Sequence, residues 1–185
     1  QMCIRDRPDT LNLDGPYIRR DGQTNPDNFV AHRHAMIRFS SIVGNLTSAY
    51  LLEQDKKYVN AVLAHVRAWF VNESTRMNPN LQYAQAIKGI TTGRGIGIID
   101  TIHLMEVAQS LYQLEKLGVL PEDDIRATKR WFADYSKWMF THQYGIDEMN
   151  AKNNHGTCWV MQIAVFARYV GDKDMMDYCR KRYKE

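Results

Sequence analysis

Residues 98–124 read IIDTIHLMEVAQSLYQLEKLGVLPEDD. The first two thirds predict a helix over residues 98–117, and Gly118 stands where a helix C-terminus favours glycine. Three residues on, Pro121-Glu122-Asp123-Asp124 opens another helix, with proline early and acids in a first turn that welcomes negative charge. Helix, tight turn, helix is therefore the local unit, and it recurs on both sides. Upstream, Met36, Phe39, Val43, Leu46 and Tyr50 recur at three- and four-residue steps, Asp55-Lys56-Lys57 makes a polar turn, and Val59, Val62, Leu63, Val66, Trp69 and Phe70 form a second stripe. Downstream, Ile125, Phe132, Tyr135 and Trp138/Met139 continue the helix begun at Pro121. Trp159, Val160, Ile163, Phe166 and Val170 mark another, and Gly171-Asp172 turns the chain into a last one near Asp174.

The first members of these pairs begin near residues 34, 98 and 156, roughly 60 residues apart, with short turns inside pairs and long aperiodic connections between them. No stretch shows a strand alternation. The fold class expected is all-α, a partial (α/α) toroid of antiparallel helix hairpins whose long loops gather at one end and form the cleft. Trp69, Trp131, Trp138 and Trp159 fall at core spacing.

Composition agrees with one globular core. The chain has 185 residues, 44% hydrophobic and 24% charged. A chain of this size buries roughly 70% of its unfolded surface. Mean hydropathy is −0.48, and no apolar run reaches the roughly 18 residues that suggest a membrane span. Net charge is only +3, and the one basic block, residues 180–185, is terminal, so neither nucleic acid nor membrane is the expected partner. Residues 1–20 hold no apolar signal-peptide core. Met2-Cys3-Ile4-Arg5-Asp6-Arg7 resembles the translation of a transposase sequencing adapter, so residues 1–7 are expected to be non-native, Cys3 with them. Residues 8–30 are rich in Pro, Gly, Asp and Asn and read as an extended entry. The chain ends inside a helical pattern without a stop signal. Cys158 and Cys179 match no metal ligand spacing. His32, His34, His65, His103 and His142 are scattered without partner acids at helical spacing, so no metal and no cofactor are expected.

Three segments carry chemistry. In Lys152-Asn153-Asn154-His155-Gly156-Thr157-Cys158-Trp159, two amides and an imidazole meet a helix N-terminus, whose free N–H groups favour an anion. The same residues also read as a plain cap, with Asn154 closing the helix and His155 facing solvent. In Met77-Asn78-Pro79-Asn80-Leu81-Gln82-Tyr83-Ala84-Gln85, running on to Thr92-Gly93-Arg94-Gly95-Ile96-Gly97, amides suit sugar hydroxyls, a tyrosine suits a ring face and an arginine suits a carboxylate. Alternatively the segment is a structural loop whose amides cap its neighbours. Its glycines follow no strand and precede no Lys-Ser/Thr, which argues against a nucleotide site. Arg19-Arg20-Asp21-Gly22-Gln23-Thr24-Asn25-Pro26-Asp27 reads first as a tight turn. Asp147-Glu148 is an adjacent acidic pair, but no two separated carboxylates of the kind a glycosidase needs stand out.

Taken together, Tyr17 to Pro26, Met77 to Gln85, Gly93-Arg94-Gly95-Ile96-Gly97-Ile98-Ile99-Asp100 and Asn153-Asn154-His155-Gly156 resemble, in that order, the alginate lyase family of polysaccharide lyases, including relatives that act on glucuronan. The resemblance implies β-elimination on a 1,4-linked polyuronate, with Asn154 and His155 as catalytic residues and Asn80, Tyr83, Gln85 and Arg94 as substrate-binding ones. It also implies an anionic polysaccharide partner and a periplasmic or secreted location. In that family an acid/base tyrosine and an arginine lie well downstream of the Asn-His pair. Tyr169, Tyr178 and Tyr183 lie too close to it for that role. Residues 8–185 are thus expected to be the N-terminal and central part of the domain, with the C-terminal part missing and the chain inactive by itself. The alternatives are a non-catalytic glycan-binding or structural helical-repeat module, and a glycoside hydrolase on a similar toroid.

Overall fold

The computed structural model describes residues 5–7, 18–20, 31–87 and 90–184. The extended entry and the Tyr17–Pro26 motif, apart from residues 18–20, lie outside the described residues, as do Lys88 and Gly89.

The fold is all-α in its body. Helix α1 (Ala31–Glu53) buries Met36, Phe39, Val43 and Tyr50 on one stripe and ends where Gln54 adopts a left-handed φ of 59°. Asp55 caps α2 (Lys56–Val66) by accepting a hydrogen bond from the Lys57 amide, and the chain continues through a π turn, Arg67–Val71. After a long connection come a 3₁₀ segment (Gly95–His103) and α3 (Leu104–Lys116). Gly118, at φ 68°, makes the turn into α4 (Glu122–Thr141). A short α5 (Gln143–Met149) precedes α6 (Asn154–Val170), and Gly171, at φ 88°, leads to α7 (Lys173–Arg182).

Packing follows the apolar stripes. Helix α1 lies against α2 and α3, α3 against α6, and α6 against both α4 and α7. Aromatic rings run through the interior: Phe39 stacks on Trp69 at 4.6 Å, Phe70 meets Trp131 at 4.5 Å, and Phe132 meets Phe166 at 5.0 Å. Each such pair adds about 1 kcal/mol beyond the area it buries. Asp124, expected only to complement the α4 dipole, is buried and gripped at 2.9 and 2.7 Å by the Arg67 guanidinium, which ties α4 to the π turn.

Three elements depart from the sequence reading. Residues 95–103 form a 3₁₀ segment rather than the start of an α-helix. A Cβ on Gly97 would stand 2.4 Å from the Ala84 Cβ, so the segment lies flush against the preceding loop. Residues 143–149, read as aperiodic, form α5, which is shorter than two helical turns and so too short to show a period. A two-stranded antiparallel ribbon, β1 (Arg5–Arg7) with β2 (Ile18–Arg20), pairs Arg5 with Arg20, and three-residue strands show no alternation.

Candidate active site

The connection after the π turn is shaped by its own amides and glycines. Asn80 Oδ1 accepts the Gln82 amide at 3.3 Å, so part of this side chain's role is to turn the loop. Tyr83 follows, a residue 69% exposed. Gln85 adopts a left-handed φ of 51°, uncommon for a residue with a Cβ. The Gly-Arg-Gly run packs back on it: a Cβ on Gly93 would overlap the Gln82 carbonyl oxygen at 1.9 Å. Close backbone approach, not phosphate binding, is what these glycines permit. The loop is pinned to the helices at two carbonyls. Trp131 Nε1 donates to Met77 O at 2.7 Å, and the Tyr144 hydroxyl donates to Gly93 O at 2.8 Å.

Around Gln85 a charged cluster forms that the sequence reading missed in part. Asp100, on the 3₁₀ segment, accepts from Arg33 Nε at 2.8 Å through one oxygen and from Gln85 Nε2 at 3.1 Å through the other. Arg94 Nε donates to the Gln85 carbonyl at 2.9 Å. Gln85 Oε1 is buried without a hydrogen-bond partner among the described residues. Burial lowers the pKa of the nearby His103, and the positive charge of Arg33 lowers it further, against a smaller opposing effect of Asp100. Arg33 and Asp100 lie 67 positions apart, so no local pattern could have paired them.

The second cluster sits where α5 meets α6. Here the cap is Asn153, whose Oδ1 accepts the His155 amide at 3.0 Å. Asn154 is the first helical residue and is exposed, whereas His155 is only 8% exposed. The imidazole does not face solvent: its Nδ1 lies 2.5 Å from Oε1 of the buried Glu148. Gly156 makes this possible, since a Cβ there would lie 2.2 Å from the Ala151 carbonyl oxygen. Burial raises the pKa of Glu148, and its bond to His155 opposes the rise.

Helix α5 joins the two clusters. It packs on the 3₁₀ segment, on α4 and on α6. Tyr144 reaches Gly93, and Glu148, one helical turn on, reaches His155. Beneath them a fully buried polar network spans three elements. Thr101 Oγ1 lies 2.7 Å from the Tyr135 hydroxyl and 2.6 Å from Gln162 Oε1, and Gln162 Nε2 donates to Ile98 O at 3.3 Å. Burial drives the Tyr135 pKa well up, and the charges of Asp100 and Glu148 add to it, so one phenol senses both carboxylates. Gln85 with Arg94, and Asn154 with His155, therefore belong to corners that share α5 and this network. A cleft of about 810 Å³ lies elsewhere, between the π turn, residues 76–79 and α4. It takes in Met77, Asn78 and Pro79 of the loop and none of the six residues singled out from sequence.

A profile of the alginate lyase family matches residues 4–185. The chain belongs to the alginate lyase family. Among solved structures it is similar to an alginate lyase from Bacteroides ovatus, with 32% sequence identity over 91% of this chain and a TM-score of 0.84. The chain spans 45% of that lyase's length. No curated protein matches it. For this member of the alginate lyase family, no group of three or more His, Cys, Asp or Glu side chains is placed to hold a metal ion among the described residues. No described helix is long and apolar enough to cross a membrane.

Proposed function

We propose that the chain is part of a polysaccharide lyase that cleaves a 1,4-linked polyuronate, alginate or glucuronan, by β-elimination. The observation that carries this reading is the buried His155–Glu148 pair at the capped start of α6, beside the exposed Asn154. A uronate C5 proton is too weakly acidic to remove while the adjacent carboxylate keeps its full charge. The Asn154 amide and the His155 imidazole, at a helix N-terminus, neutralise that carboxylate and stabilise the enolate-like intermediate. A base then takes the C5 proton, the C4=C5 double bond forms and the C4–O bond breaks. The departing oxygen receives a proton from an acid, so the products together equal the substrate and no water is consumed. The acid/base tyrosine is assigned to sequence beyond residue 185, in keeping with the 45% coverage of the related lyase. Asn80, Tyr83, Gln85 and Arg94 bind neighbouring sugars: the exposed Tyr83 ring offers a stacking face, and the Gln85–Arg94 corner offers donors. The three hairpins then form part of an (α/α) toroid acting in the periplasm or outside the cell.

A hydrolase needs two carboxylates open to one bond. Asp100 is engaged on both oxygens and Glu148 is engaged by His155, so the lyase reading is favoured. The test is His155→Ala and Asn154→Ala in the full-length enzyme on a panel of polyuronates, following the ultraviolet absorbance of the unsaturated product. Each is expected to lose roughly 10²–10⁴ in kcat. Unaltered activity in both removes the site assignment. The 185-residue chain alone is expected to cleave nothing, and turnover by it would return the acid/base role to a residue within it.

A further inference from the structure

Glu148 stands out among the carboxylates near the site. Asp100 and Asp124 are each answered by an arginine, whereas Glu148, only 4% exposed, is directed at a single imidazole nitrogen on the next helix. The approach is imposed by the backbone. A Cβ on Gly145 would lie 2.0 Å from the Met139 carbonyl oxygen, and one on Gly156 would lie 2.2 Å from that of Ala151. Gly145 of α5 is thus seated against the end of α4, and Gly156 of α6 against the turn that follows α5. The two side chains are seven positions apart, across the α5–α6 turn.

We propose that Glu148 is the positioning residue of this site: its carboxylate accepts the Nδ1–H of His155, fixes the tautomer and ring orientation, and presents Nε2 to the substrate. The inference rests on the polyuronate lyase reading for the identity of that substrate, but the tautomer does not. With Glu148 ionised, its oxygens are acceptors only, so the bond between them is one that the imidazole Nδ1–H donates. The two ring nitrogens then have separate tasks. Nδ1 is committed to the protein, and Nε2, which becomes a donor once it too is protonated, faces the uronate carboxylate. When the imidazole gains a second proton, the same carboxylate stabilises the cation, as a buried acid does behind a catalytic histidine. Asp147 and Tyr135 complete the titratable groups that Glu148 senses.

The first measurement is nitrogen-15 NMR of the His155 ring in the 185-residue chain. Wild type is expected to carry its neutral-state proton on Nδ1, and Glu148→Ala to give a mixture of tautomers. A wild-type proton on Nε2, or ring resonances identical in the two proteins, overturns the proposal. Glu148→Gln keeps the volume and carries the same comparison if the alanine variant does not fold. It too must shift the ring resonances, and unchanged resonances overturn the proposal. The second measurement is kinetic, in the full-length enzyme. Glu148→Gln is expected to lower kcat roughly a hundredfold with little change in KM, and a loss confined to KM overturns it. If the full-length protein cleaves no polyuronate, the substrate reading fails while the NMR result still decides the role of Glu148.

Discussion

The two clusters, at Gln85–Asp100 and at Glu148–His155, each place an acid beside a group proposed to bind substrate, but they answer its charge differently. At Gln85–Asp100 the counter-ion is Arg33, which is always charged, and both carboxylate oxygens are occupied. At Glu148–His155 the partner is an imidazole, whose charge follows pH and ligand. The first corner is a fixed frame that holds a left-handed Gln85 in place. The second is an adjustable one, with its adjustment confined to a single shared proton. Under the function proposed above, a uronate bound between them meets fixed donors on one side and a titratable group on the other.

This contrast can be broken, most forcefully at Gly156. Gly156→Ala puts a methyl against the Ala151 carbonyl, with nowhere to relax but the α5–α6 turn. A loss of about 3 kcal/mol is expected in urea unfolding, together with displaced His155 ring resonances. An unchanged midpoint would mean that the turn is looser than its geometry. Asp100→Ala should cost about 2 kcal/mol by leaving Arg33 and Gln85 without their acceptor. It should leave the His155 ring resonances where they were, and a shift there would show that the corners respond as one. The smallest effect is a pH slope. Because His103 binds its proton less readily folded than unfolded, stability is full above the ordinary value of 6.5 and declines as pH falls below it. His103→Gln should flatten that slope. Glu148 has the opposite sign, since its raised pKa favours the protonated form in the folded chain, so its contribution declines as pH rises past the ordinary 4.5.

Much of the architecture was legible because long amphipathic helices repeat their message. The stripes through Phe39 and Val43, through Val62 and Val66, and through Ile163 and Phe166 are all buried. What escaped was short or tertiary. Residues 143–149 carry no complete period, and the ribbon strands are three residues each. The plain-cap reading placed the cap at Asn154, and the hydrogen bond to the His155 amide puts it one residue earlier, at Asn153. Glu148 read only as half of an adjacent acidic pair, because its burial comes from α4, α6 and the 3₁₀ segment packing around α5. Arg33 lies at the start of α1 and Asp100 on the 3₁₀ segment, separated by the first hairpin and the long connection after it, and only folding brings them together.

The long connection between the π turn and the 3₁₀ segment is, in chain-statistics terms, not one loop. The Trp131 indole and the Tyr144 phenol hold it by carbonyls at Met77 and Gly93, so the span between these two tethers runs only from residue 78 to residue 92. Each halving of a flexible loop removes about 0.6 kcal/mol of closure entropy. Two aromatic tethers thereby lower the entropic cost of ordering a segment that carries Asn80, Tyr83 and Gln85, and they do so without occupying any of those side chains.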